Sequence, residues 1–268
     1  MNKALKQRLT IAFPIIALFI YIIFYQPTYF FIITSLIVLR TLWEFFNLYK
    51  NTQKSFSKSA ILYSTLFLIT IWNKPHLFEM MLIMGVVLFL ALQIFDTENI
   101  DGMKKISLTV CGFIYITVFS AYVFKIYFYK ADLPMWGPTM VFWTFFICKF
   151  SDATAYFGGV KFGKNKMIPR LSPNKSWEGF FFGLLGGLAP ALFIQSLDGF
   201  NLSTALQFCL IVTLAAVAGD FIESMFKREL NVKDAANDIP AFGGTFDMID
   251  SVVTSLPIAY LFIQFKAI

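Results

Sequence analysis

The chain has 268 residues, 58% hydrophobic, 19% aromatic and only 14% charged, with 34 Phe and a mean hydropathy of +0.69. Soluble domains sit nearer half apolar and a quarter charged, so an ordinary cytosolic globule, a disordered chain and a nucleic-acid-binding domain are excluded. The 22 Lys+Arg against 16 Asp+Glu leave +6; in a membrane protein that sign marks cytoplasmic loops and the anionic lipid surface.

A membrane span needs about 20 mostly apolar residues. Apolar blocks lie near residues 9–25, 28–46, 59–73, 77–95, 106–128, 136–157, 179–197, 203–226 and 250–265. No charge occurs from Leu9 to Leu39, too long for one helix, and Gln26-Pro27-Thr28 supplies the break because proline lacks a donor and restricts its predecessor. The expected fold is an all-α integral membrane protein of about nine transmembrane helices. It forms one polytopic domain over 1–268, with N-terminal helices to about 130 and a catalytic portion over about 136–268. Met1–Arg8 ahead of the first block imitates a secretory signal, but no small-residue cleavage site follows, so an uncleaved first span is expected.

Basic residues orient the chain. With the N-terminus cytoplasmic, sixteen fall inside: Lys3, Lys6 and Arg8; Lys50, Lys54 and Lys58; Lys104 and Lys105; Lys161, Lys164, Lys166, Arg170 and Lys175; Lys227, Arg228 and Lys233. Only Lys74, Lys125, Lys130 and Lys266 fall outside, a positive-inside asymmetry, and nine spans then put the C-terminus outside. The inner segments Gly158–Glu178 and Lys227–Asp247 read as long polar loops, a length at which loops are usually functional or disordered.

Charges inside spans are costly and generally face a bundle interior or a wet cavity. Ten of the sixteen acids lie between Asp152 and Asp250. Asp220, Glu223, Ser224 and Lys227 share one helical stripe at i, i+3, i+4 and i+7; Asp247 and Asp250 share another. Helix ion pairs and favourable charges at a helix N-terminus account for each residue singly. They do not account for the group, since several carboxylates brought together repel unless a cation sits among them. Oxygen donors without Cys or His suit a hard ion such as Mg²⁺. His76 is the one histidine, and Cys111, Cys148 and Cys209 show no ligand spacing, so they read as packing residues. Nearby Lys and Arg, with Gly243-Gly244 amides open to a phosphate, complete what phosphoryl or nucleotidyl transfer needs. Lys149 with Asp152, and Arg40 with Glu44, also read as helix ion pairs. Trp177 reads as an interface anchor.

At these residues the sequence resembles the phosphatidate cytidylyltransferase (CDP-diacylglycerol synthase) family. Ser224, Phe226, Lys227, Arg228, Lys233, Asp234, Pro240, Gly243, Gly244, Asp247 and Asp250 stand at the spacing of its signature. Gly219-Asp220 lies just upstream, and segments 151–159 and 172–179 resemble two further family motifs. The chain departs at Phe242, Met248, Ala241 and Thr245, where the signature carries histidine, arginine, glycine and an apolar residue. The resemblance implies Mg²⁺-dependent transfer of CMP from CTP to phosphatidate, giving CDP-diacylglycerol and pyrophosphate, in a bacterial inner membrane with the site facing the cytoplasm. It implies Asp220, Asp247 and Asp250 as metal ligands, with room for a second, monovalent cation. Lys227 joins the acids in the catalytic group. Arg228, Lys233, Asp234, Ser172, Lys175, Ser224, Gly243, Gly244 and Asp152 would hold CTP or phosphatidate. Membrane lipids are partners, nucleic acid is not, and a homodimer is left open. Two other classes stay in play: a transferase or kinase acting on another lipid phosphate or lipid alcohol, and an ion-coupled transporter.

Overall fold

The computed structural model describes residues 17–50, 55–96, 101–130, 132–133, 135–232 and 244–266. Each of the nine apolar blocks contains a helix among these residues. They are α1 (described over 17–25), α2 (Pro27–Tyr49), α3 (Ser57–Asn73), α4 (Phe78–Ile94), α5 (Gly102–Tyr127), α6 (Trp136–Phe162), α7 (Trp177–Leu188, extended by α8, Ala191–Ile194), α9 (Leu202–Glu229) and α10 (Thr245–Lys266). Pro27 occupies the first turn of α2, where its missing N–H costs nothing. Among the described residues six helices are long and apolar enough to cross a membrane: α2, the Pro75–Ile94 unit containing α4, α5, Trp177–Ile194, α9 and α10. Of the others, α3 has 17 residues and α6 carries Lys149, Asp152 and Lys161. Large apolar side chains such as Leu62, Ile83, Leu185 and Phe193 stay exposed on the outer faces, as lipid contact requires. The chain is a helical integral membrane protein.

Two features depart from the sequence expectation. Segment 158–178 is not an irregular loop: α6 continues to Phe162, and an antiparallel hairpin, β1 (Lys166–Ile168) and β2 (Ser172–Ser176), leads into α7. The hairpin's lysines, proline and asparagine hide it from a hydropathy reading. Within α5, residues Phe113–Val118 form a π-helical turn, which brings Tyr115 against Phe226 of α9 and Phe246 of α10 at ring distances of 5.6 and 6.4 Å. Phe45 of α2 joins them, so an aromatic layer ties four helices together behind the polar site.

Small residues set the closest helix contacts, as expected where lipid offers no hydrophobic drive between helices. Gly179, Gly183 and Gly186 of α7 lie against Ala155, Ser151 and Thr154 of α6, and Gly187 lies against Thr213 of α9. Cys148 and Cys209 are buried and Cys111 half-buried, all three as free thiols.

Candidate active site

Helices α9 and α10 run antiparallel, and Gly219 sets their separation. A methyl carbon there would lie 2.5 Å from the Asp250 carbonyl oxygen and 2.6 Å from Thr254 Oγ1. Only a bare Cα permits that approach, and the next residue, Asp220, is thereby carried up to α10. One carboxylate oxygen from each of Asp220, Glu223 and Asp250 lies within 4.8 Å of the others. Glu223 and Asp250 are buried. Lys227 bridges Glu223 Oε1 at 2.6 Å and Asp247 Oδ1 at 2.9 Å, and Lys175 of β2 pairs with Asp220 while its ammonium sits 4.2 Å over the Phe221 ring. Four carboxylates thus face two ammonium groups. These oxygen-only donors, more numerous than the ammonium groups beside them, suit a divalent hard cation.

The second wall is α6. Lys149 Nζ donates to Ser251 Oγ at 3.0 Å and approaches Asp152 Oδ2 at 3.4 Å. Ser251 Oγ donates to Asp152 Oδ2 at 3.0 Å, and its amide donates to Asp250 Oδ1 at 2.6 Å. This chain of bonds holds α6 to α10 beside the carboxylate cluster. The open cavity between these walls has a volume of about 660 Å³ and is lined by Lys149, Asp152, Lys166, Asn174, Lys175, Asp220, Asp247 and Asp250 together with Tyr156, Val160, Phe180 and Val217.

The hairpin forms its rim and is tied down at both ends. The Glu178 carboxylate accepts the amides of Lys164 and Asn165 at 3.1–3.2 Å and Asn165 Nδ2 at 2.7 Å. Ser176 caps α7 by accepting from the Gly179 amide at 3.1 Å. Arg228 Nε donates to the Leu171 carbonyl at 3.1 Å, and its Nη1 to that of Val232 at 3.0 Å.

The start of α10 is anchored from α2. Its Phe246 amide, an orphan donor in the first turn, donates to Glu44 Oε2 at 2.9 Å. Glu44, buried, also accepts from Arg40 Nε at 3.2 Å, and Thr41 Oγ1 meets Thr245 Oγ1 at 3.2 Å. The Gly244 amide donates to Asp247 Oδ2 at 2.8 Å.

The structure therefore gathers Asp220, Asp247, Asp250, Asp152 and Lys175 around one cavity. Lys227 sits behind it, linking Glu223 to Asp247, and Arg228 is engaged with backbone carbonyls. Ser172, in β2, and the buried Ser224 are not cavity-lining. The Gly244 amide, expected to face a phosphate, serves Asp247 instead. Lys233, Asp234 and Gly243, with Pro240, Ala241 and Phe242, lie outside the described residues. Sequence reasoning placed Glu223 in the acidic stripe and read Lys149 and Glu44 as helix ion pairs, but assigned none of these, nor Ser251, to the site. The first stood in the right helical stripe and was findable there; Ser251 and Glu44 act only through tertiary contacts.

Proteins named phosphatidate cytidylyltransferase are similar to this chain. That of Haemophilus influenzae is 41% identical over 130 residues, 46% of this chain and 45% of the relative. That of Pseudomonas aeruginosa is 39% identical over 111 residues, 40% of this chain and 41% of the relative. In both, the chain covers less than half of the relative's length. That of Thermotoga maritima is 30% identical over 210 residues, 75% of this chain and 73% of the relative. The model of the cytidylyltransferase family matches residues 6–266, and the chain belongs to that family.

Proposed function

We propose that the protein transfers CMP from CTP to phosphatidate, giving CDP-diacylglycerol and pyrophosphate, with Mg²⁺ held by Asp220, Glu223 and Asp250 and with Asp247 alongside. One observation carries the reading: carboxylates in excess of their lysine partners gather on the wall of a cavity that also presents Lys149, Lys166 and Lys175, between membrane helices. Clustered carboxylates and a triphosphate repel each other until a cation lies between them, so the acids and the substrate require the same ion. Mg²⁺, when bound, supplies charge neutralisation and polarisation at phosphate oxygens.

The residues of the chain do the rest. Lys227 keeps Glu223 and Asp247 in place, and the Lys149–Ser251–Asp152 contacts fix the far side of Asp250. Lys175, on the rim and paired with Asp220, is placed to exchange that carboxylate for a nucleotide phosphate. An ionised lipid phosphate needs no general base: its oxygen attacks the α-phosphorus in line, the bond to the β-phosphate oxygen breaks, and pyrophosphate leaves. Positioning and charge neutralisation supply the rate. All nine helices are taken to span the membrane, N-terminus cytoplasmic and C-terminus outside, with the hairpin and the α9–α10 connection on the cytoplasmic side of a bacterial inner membrane. The sixteen-to-four distribution of basic residues supports this orientation.

The test uses purified protein with CTP labelled at either the α or the γ phosphorus. The α label enters the lipid and the γ label leaves as pyrophosphate. Entry of the γ label would mean a lipid kinase, and no entry of either would refute transfer to lipid.

A further inference from the structure

Lys149 sits deep within a membrane helix. It precedes Phe162, the end of α6, by about 20 Å at the helical rise of 1.5 Å per residue. A charge at that depth is stable only beside a partner or a wet cavity. Lys149 has both, yet it is incompletely used. Its ammonium carries three donors, and among the described residues Ser251 Oγ and Asp152 Oδ2 accept from it. Nearly half of the side chain (47%) stays exposed where it lines the cavity.

The surroundings of this lysine differ from those of Lys175. Lys175 rides on the hairpin and reaches Asp220 and the Phe221 ring of α9. Lys149 shares an α6 face with Asp152, Tyr156 and Val160; the last two line the cavity and are 67% and 72% exposed. The cavity is thus open along some 16 Å of α6, at 1.5 Å per residue. Beside Lys149 on α6, stacked Phe142, Phe146 and Phe150 form a stripe, of which Phe146 and Phe150 are exposed at 39% and 38%. A cation set where an apolar face meets the acid cavity suits a phosphate carried on acyl chains. A nucleotide arriving from water meets the hairpin first.

We propose that Lys149 binds the phosphomonoester of the lipid substrate as it enters sideways along α6, while the hairpin side, with Lys175, takes the nucleotide. The proposal rests on the transfer reaction above. Lys149→Met, assayed with dioctanoyl phosphatidate and CTP varied in turn, should raise KM for phosphatidate about tenfold or more, the loss of one charge-assisted hydrogen bond. KM for CTP should stay within about twofold, and Lys149→Arg should recover most of the loss. An unchanged KM for phosphatidate, a parallel rise for CTP, or a fall in kcat alone would overturn it. A second measurement needs neither a variant nor turnover. Amine-reactive labelling of Lys149 in the wild-type protein, read by peptide mass spectrometry, should be slowed by dioctanoyl phosphatidate and not by dioctanoylglycerol or CTP. Equal protection by dioctanoylglycerol or CTP, or none by phosphatidate, would refute it. Wild-type protein that makes no CDP-lipid would overturn the reaction, with the labelling result still deciding the binding.

Discussion

Gly219→Ala probes the geometry on which the site depends. The added carbon would stand 2.5 Å from the Asp250 carbonyl oxygen and 2.6 Å from Thr254 Oγ1. Ordinary contact begins near 3.4 Å, and the 2.5 Å obstacle is helix backbone that no rotamer change can move. Helices α9 and α10 must therefore separate locally by nearly 1 Å. Overpacking of this kind costs about 1–3 kcal/mol, which a bundle with extensive contacts elsewhere survives. The active-site cost is larger, because Asp220 and Asp250 sit on the two helices being forced apart, and a misplacement of about 1 Å can lower rate about 100-fold. The expected result is a variant that enters the membrane, melts in detergent within a few degrees of wild type, and forms CDP-lipid at about 1% of the wild-type rate or less. Wild-type turnover in a folded Gly219→Ala protein would refute the claim that this close approach assembles the site.

Three further outcomes follow from the same contacts. Asp250→Asn keeps the shape but removes one negative charge from the cluster, so pyrophosphate release at fixed CTP should fall by about 100-fold or more, as when a charge-stabilising group is removed, and should need higher Mg²⁺; a rate and metal requirement like wild type would count against the assignment. Glu44→Gln loses the charged partner of the Phe246 amide and of Arg40, and should lower stability by about 1–3 kcal/mol, read as an earlier detergent melt; an unchanged melt would show that α10 needs no anchor from α2. Ser176→Ala removes the α7 cap at a cost of about 1 kcal/mol, whereas Ser176→Asn should restore most of it; equal melts for both variants would argue against capping.

Hydropathy made the helices legible, because an apolar segment in lipid has to satisfy its own backbone, and Pro27 marked the break between the first two. Boundaries were less visible: α6 runs past its block to Phe162 since Gly158, Gly159 and Lys161 are tolerated in a helix that packs on the glycines of α7. The acidic stripes of α9 and α10 pointed to the site because residues at i, i+3 and i+4 share a face whatever the tertiary fold. What the spacing could not give was the partner of each charge. Glu44 was legible as a neighbour of Arg40 four residues away, but its amide partner Phe246 lies 202 residues on. Lys149 was legible as a pair with Asp152, yet Ser251, which joins them, comes from another helix. Lys227 read as a member of the catalytic group, and in the structure it spans two carboxylates, since helix antiparallelism brings Asp247 within its reach.

The central claim, that the inner carboxylates of α9 and α10 form one cation site, is tested most directly with Mn²⁺ as a spectroscopic stand-in for Mg²⁺. Electron paramagnetic resonance of the purified wild-type protein should show bound Mn²⁺ that Mg²⁺ displaces and that Asp220→Asn combined with Asp250→Asn abolishes. Mn²⁺ bound equally well by the folded double variant would contradict the account.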